Sequence, residues 1–144
     1  MKPGTQKVVG ELQTRGRRIR LETVESVDGE ECLVDIEVES GVSGATCSKG
    51  GLFSARKVAF SVNFDGGPEH FSSVSVVGLA APGIASVGLA KSDGSVVRVE
   101  LDRTRGFVIE SPTSELEGGV TPTGLVLFGP SGKRVDEVGI PTLR

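Results

Sequence analysis

The stretch that decides the fold is Val76-Val-Gly-Leu-Ala-Ala-Pro-Gly-Ile-Ala-Ser-Val-Gly-Leu-Ala-Lys-Ser-Asp-Gly-Ser-Val-Val-Arg-Val-Glu-Leu101, continued by Asp-Arg-Thr-Arg-Gly-Phe-Val108. It reads as strand, Pro-Gly turn, strand, Asp-Gly turn, strand, and the start of another strand. A two-residue loop at Asp93-Gly94 would set Leu89 opposite Arg98 and Val87 opposite Glu100, mixing apolar and charged residues on one face. A three-residue loop, Ser92 to Gly94, instead pairs Leu89 with Val97, Val87 with Val99 and Ala85 with Leu101. One face is then apolar, and Arg98, Glu100 and Asp102 share the other. The usual three-residue hairpin loop ends in a left-handed residue, a conformation glycine adopts without a Cβ clash. A positive φ at Gly94 is therefore expected.

Working outward, the chain punctuates itself with turns. Arg17 to Ser26 and Cys32 to Glu39 both alternate, with Asp28-Gly29 between them. A two-residue turn there pairs Thr23 with Val34, Leu21 with Ile36 and Ile19 with Val38 on a buried face. The other face then carries Arg20 opposite Glu37 and Arg18 opposite Glu39. Lys57–Phe64, Phe71–Leu79, Gly106–Glu110, Leu125–Phe128 and Arg134–Val138 are further strands, with Val8–Leu12 a short one and residues 1–6 a loose tail. Asp65-Gly66-Gly67-Pro68 and Gly129-Pro130-Ser131-Gly132 are turns. Gly41–Gly51 and Ser111–Thr123 read as loops, the second with room for a helical turn at Glu115-Leu116-Glu117. About nine strands at this spacing, with no sustained helical period, predict one all-β domain: an antiparallel β-sandwich, Ig-like or transthyretin-like.

Composition narrows the function. The 144 residues carry 16 basic and 19 acidic side chains, net −3, which argues against a nucleic-acid partner. Arg15, Arg17, Arg18 and Arg20 have acids nearby, so a solvated ion-paired face is favoured over a binding patch. No apolar run is long enough to span a bilayer, so no membrane insertion by this segment is expected. The N-terminal residues lack a hydrophobic signal core. An exported protein of this sequence would therefore carry its export segment elsewhere, and a cytoplasmic protein is the alternative.

Motifs for chemistry are missing. The one histidine, His70, falls in a turn beside Glu69 and reads as an exposed loop residue rather than a base or ligand. Gly129-Pro-Ser-Gly-Lys133 lacks the first glycine and the final Ser/Thr of a phosphate loop, and it opens a strand. The Asp-Gly pairs at 28, 65 and 93 lack the repeating carboxylates of a calcium loop. A carboxylate-based hydrolase is a minor reading, weakened by the absence of Trp and Tyr to stack sugars. No catalytic, cofactor-binding or metal residues are assigned, and no cofactor is expected. Cys32 stands at the end of a strand and Cys47 in the loop that follows that strand. A disulfide between them would close a loop of ~15 residues and add about 3 kcal/mol. It would also place the domain in an oxidising compartment. Two free thiols in a cytoplasmic protein are the alternative.

From Glu31-Cys32-Leu33 through the Gly-rich stretch to Cys47, the pattern resembles a family of poorly characterised actinobacterial proteins. These are secreted or anchored by a membrane helix, and similar domains occur in the extracytoplasmic parts of some membrane-anchored regulators. The likeness continues through Val77-Gly-Leu-Ala80, Ala85-Ser-Val-Gly-Leu89 with its Asp93-Gly94 hairpin, Gly106-Phe-Val108 and the late hairpin Leu125 to Val138. It implies an Ig-like or transthyretin-like sandwich and an exported location, and it transfers no catalytic residue. The expected function is a non-enzymatic extracytoplasmic interaction or sensory module with a protein partner. A structural or spacer domain of a larger surface assembly is the alternative. The loops Gly41–Gly51 and Ser111–Thr123 are the expected interaction surfaces.

Overall fold

The computed structural model describes residues 4–14, 16–67, 70–101 and 103–140, and the side chains of all of these but 64–67 and 70–72. Among them the chain forms eleven strands: β1 Lys7–Thr14, β2 Arg17–Glu25, β3 Glu30–Glu37, β4 Ser43–Lys49, β5 Val58–Gly67, β6 His70–Ala80, β7 Ser86–Lys91, β8 Val96–Glu100, β9 Gly106–Ser111, β10 Pro122–Phe128 and β11 Arg134–Gly139. A single helical turn, α1 Thr113–Glu117, covers the segment expected to make one. The strands form three sheets, ordered β1-β2-β3-β4, β11-β10-β7-β8 and β5-β6-β9. The chain is all-β with antiparallel sheets, consistent with the β-sandwich class expected from the sequence.

The central hairpin has the expected register. Leu89 pairs with Val97 and Val87 with Val99, and Gly94 has φ 88°. Lys91 N–H donates to Ser95 C=O, and Gly94 N–H donates to Lys91 C=O. The same two bonds close the β2–β3 hairpin (Ser26, Gly29, Glu30) and the β10–β11 hairpin (Gly129, Gly132, Lys133), with Gly29 and Gly132 also at positive φ. One turn chemistry, a three-residue loop ending in a left-handed glycine, thus builds three hairpins.

That recurrence corrects the expected β2–β3 register. The loop is Val27-Asp28-Gly29, three residues and not two, so Thr23 faces Leu33, Leu21 faces Asp35 and Ile19 faces Glu37. A one-residue slip moves a strand's side chains to the opposite face. Leu33 and Asp35 are buried, while Val34 and Ile36 are only half-buried. The buried Asp35 carboxylate accepts a 2.6 Å hydrogen bond from Ser61 Oγ, the kind of partner a buried charge needs. Three further expectations change. The strand count is eleven rather than about nine, Gly41–Gly51 contains β4, and Asp65–Gly67 belong to β5 instead of a turn. Residues 68 and 69 of that expected turn, with Arg15 and Asp102, lie outside the described residues.

Two compact units can be distinguished among the described residues. One draws on Met1–Ser61, Val77–Pro82 and Asp102–Val108, the other on Val62–Val76, Gly83–Leu101 and Ile109–Arg144. The first has a core of Leu12, Ile19, Leu21, Leu33, Leu52, Ala59, Val77 and Leu79, with Phe53 and Val108 packed on it. In the second, Val87, Leu89, Leu125 and Leu127 are completely buried.

Immediately before β9, Arg105 adopts φ 68°, the one positive φ of a non-glycine residue among those described. Its guanidinium donates to the carbonyls of Ala80 and Ala81, with Nη2 at 2.8 Å from the latter. Its backbone C=O accepts from Ala80 N–H. Left-handed backbone costs a residue with a Cβ about 1 kcal/mol, and the charged hydrogen bonds offset that. Arg105→Ala keeps the strain and loses the bonds, whereas Arg105→Gly loses the bonds and relieves the strain. The alanine variant is expected to be less stable than the glycine variant by about 1 kcal/mol, read from urea denaturation.

Candidate functional site

The segment Ser43-Gly-Ala-Thr-Cys-Ser-Lys49 has small side chains and little intrinsic strand preference. It is a strand because it pairs with β3 through seven residues, Ile36 with Ser43 through Glu30 with Lys49. Gly41 at φ 74° turns the chain, its N–H donating to Glu37 C=O. Cys32 and Cys47 stand directly opposite and are joined by a disulfide, S–S 2.06 Å, Cα–Cα 4.0 Å. Cys32 is fully buried and Cys47 is exposed. The disulfide therefore ties an edge strand, poor in apolar side chains, to the interior.

The hydrogen-bond phase of that pairing tells which backbone groups face outward. Glu37 N–H donates to Val42 C=O. Hydrogen-bonded and non-hydrogen-bonded pairs alternate along an antiparallel ladder. Thr46 and Ser48 then bond to β3, and Ala45, Cys47 and Lys49 direct their N–H and C=O to the open side. Ser54 Oγ donates to Lys49 C=O at 2.6 Å.

Along this open side runs a cleft of about 480 Å³. Four consecutive β4 residues, Thr46–Lys49, line it, as do the consecutive β5 residues Val58–Phe60. Consecutive strand residues point to opposite faces, so a cleft lined by a whole run lies along the strand's edge. The segment between the two strands is held by Glu31, whose Oε1 accepts from Leu52 N–H at 2.8 Å. Lys49 and Arg56 are exposed on the rim, and no carboxylate is among the lining residues.

The arginine face resolves into surface ion pairs. Arg18 Nε meets Glu39 at 3.0 Å as expected, Arg17 meets Glu37 at 3.6 Å, and Arg20 bonds Glu22 at 2.7 Å rather than reaching Glu37. The Arg18 hydrogen bond holds the Glu39 carboxyl below its ordinary value. Ser95, through its hydroxyl and its N–H, does the same to Asp93 in the central turn. A lowered carboxyl contributes stability above the unfolded-state pKa of roughly 4 and loses it as pH falls through the folded-state value. Asp93→Asn is expected to flatten the acid limb of the stability curve below pH 4–5, measured by thermal melts from pH 6 to 2.5.

The second expected interaction loop is tethered. Within Ser111–Thr123, both Glu115 carboxylate oxygens accept from Lys91 Nζ, at 2.8 and 2.7 Å, and the Lys91 side chain is only 4% exposed. Glu115→Gln leaves that ammonium buried beside a neutral amide. It is expected to cost about 2 kcal/mol, below the value for a wholly buried pair because Glu115 is partly solvated. Chemical denaturation checks this. His70 opens β6, and its side chain lies outside those described. The Gly129–Lys133 run is a hairpin turn.

Of the predicted site residues, Cys32 and Cys47 are brought together. Sequence reasoning missed the β4 edge and its cleft, because glycine, serine and threonine read as loop. No family model, no curated protein and no solved structure matches this chain.

Proposed function

We propose that this chain is a non-enzymatic, extracytoplasmic interaction module with an Ig-like or transthyretin-like sandwich, and that it engages a protein partner. The observation that carries the reading is the Cys32–Cys47 disulfide, which fastens an open strand edge beside a cleft. Disulfides persist in oxidising compartments. Exposed edges are templates for pairing with another chain. The test is photo-crosslinking in the native host, with a photoreactive residue placed at Ser54 and, as control, at the exposed Val27. One recurring protein adduct from position 54, absent from position 27, is the expected result. Adducts only to other copies of the chain, or none, would overturn it.

A spacer role in a larger assembly is favoured by one observation. Strand β8 lies at the edge of its sheet with Val96 and Val97 each 42% exposed. The charged Arg98 and Glu100 alternate along it, and Arg98 turns inward across the sheet face to stack over the Phe128 ring at 3.6 Å. Sedimentation velocity at high protein concentration separates the two readings. A monomer supports the interaction module, and a defined oligomer abolished by Val97→Lys supports the spacer.

A further inference from the structure

We infer that the β4 edge receives an extended, acidic segment of a partner protein as an added strand. The inference rests on the interaction reading above and specifies the partner's chemistry. Three observations converge. First, the ladder phase sends the N–H and C=O of Cys47 outward into the cleft, together with the Lys49 N–H. These are the groups an incoming backbone pairs with in strand addition. Second, Thr46–Lys49 present roughly 10 Å of edge, room for three to four extended residues, and the 480 Å³ cleft alongside holds a chain of that length. Third, the charges on the cleft are Lys49 and Arg56, both exposed, with no acid among the lining residues. An incoming strand with carboxylates on alternate residues places them on one face, within reach of these two cations. A second copy of this edge is a poor occupant: Ser43–Lys49 contains no acid and would add a cation.

The experiment uses the full oxidised chain and two fluorescein-labelled peptides. One is Val-Glu-Val-Asp-Val-Glu, and the other has lysine at each acidic position. Fluorescence anisotropy is read for the native chain and for Lys49→Glu/Arg56→Glu, both surface positions, with circular dichroism to confirm the fold. The acidic peptide is expected to bind the native chain at least tenfold more tightly than the basic one, and the double variant to invert the order. N-methylation of alternate peptide amides is expected to weaken binding at least tenfold, and hydrogen exchange at Cys47 and Lys49 to slow in the complex. Equal affinity for the two peptides, or an affinity the double variant leaves unchanged, overturns the assignment and leaves the interaction reading standing. If neither peptide binds while the Ser54 crosslink persists, the acidic-strand inference alone falls. If both fail, both readings fall.

Discussion

Replacing Gly78 with alanine is expected to destabilise the protein by about 3 kcal/mol, the upper part of the range for overpacking a close-fitted core. Gly78 is buried in β6, the central strand of the β5-β6-β9 sheet. A Cβ on this residue would lie 2.5 Å from the Ala59 carbonyl oxygen, 2.7 Å from Phe107 Cζ and 2.9 Å from Phe60 Cβ. Only Phe107 Cζ is the far end of a side chain; the carbonyl is backbone, and Phe60 Cβ is fixed to the backbone by its Cα. Phe107 is itself fully buried and has little room to withdraw. Trimming the ring should therefore recover only part of the loss, so Gly78→Ala/Phe107→Leu remains well below the native chain. The control is Gly139→Ala, in an exposed position with nothing within 4 Å of the new methyl. It should shift stability by no more than about 0.5 kcal/mol. Equilibrium urea unfolding measures all three. A Gly78→Ala variant as stable as Gly139→Ala would mean that β5 and β9 do not close on β6 as described.

Opening the Cys32–Cys47 disulfide is expected to cost about 3 kcal/mol, the chain-entropy value for a loop of roughly this size. The separation of the two cysteines is 15 residues. The loss should be local before it is global. β4 has no large apolar side chain, and its own residues are half-buried or exposed. The ladder to β3, the disulfide and the Ser54 hydroxyl bonded to Lys49 C=O hold it. After reduction, the amide protons of Thr46 and Ser48 should lose protection first, while those of β7 and β10, in the other unit, keep theirs. Cys32→Ala/Cys47→Ala should reproduce the reduced state. Cys47→Ala alone leaves a free thiol at the buried Cys32 and should behave similarly. Hydrogen exchange with and without reductant follows these amides directly.

These two sites differ in how far the sequence could reveal them. The β7–β8 register was legible because apolar residues of one parity flank Ser92-Asp93-Gly94 on both sides. The β2–β3 register was not, although Val27-Asp28-Gly29 makes the same turn. Cys32, Leu33, Val34 and Ile36 put apolar side chains on both faces of β3, so alternation could not choose between two registers. The apparent match of Arg18 and Arg20 to acids then favoured the wrong one. What settles it is the burial of Asp35 against Ser61, a pairing of residues far apart in the chain. The cysteine pair was visible in the sequence, but its consequence was not. In-register pairing of Cys32 with Cys47 requires a strand where composition suggests a loop. The cleft depends on the placement of β4, the 50–56 segment and the start of β5, and no periodicity encodes that. Gly78 was visible as a glycine in a valine run, while the Phe107 ring that occupies its missing side chain comes from β9.

The most direct test of an exported, disulfide-strapped interaction module is the redox state of the two cysteines in the host. Cells are quenched in acid, the protein is unfolded and alkylated before and after reduction, and its intact mass is recorded. The expected result is no alkylation until reductant is added, then two adducts. Two adducts without reductant would place free thiols at Cys32 and Cys47 in the living cell, and both the export assignment and the tethered β4 edge would be contradicted.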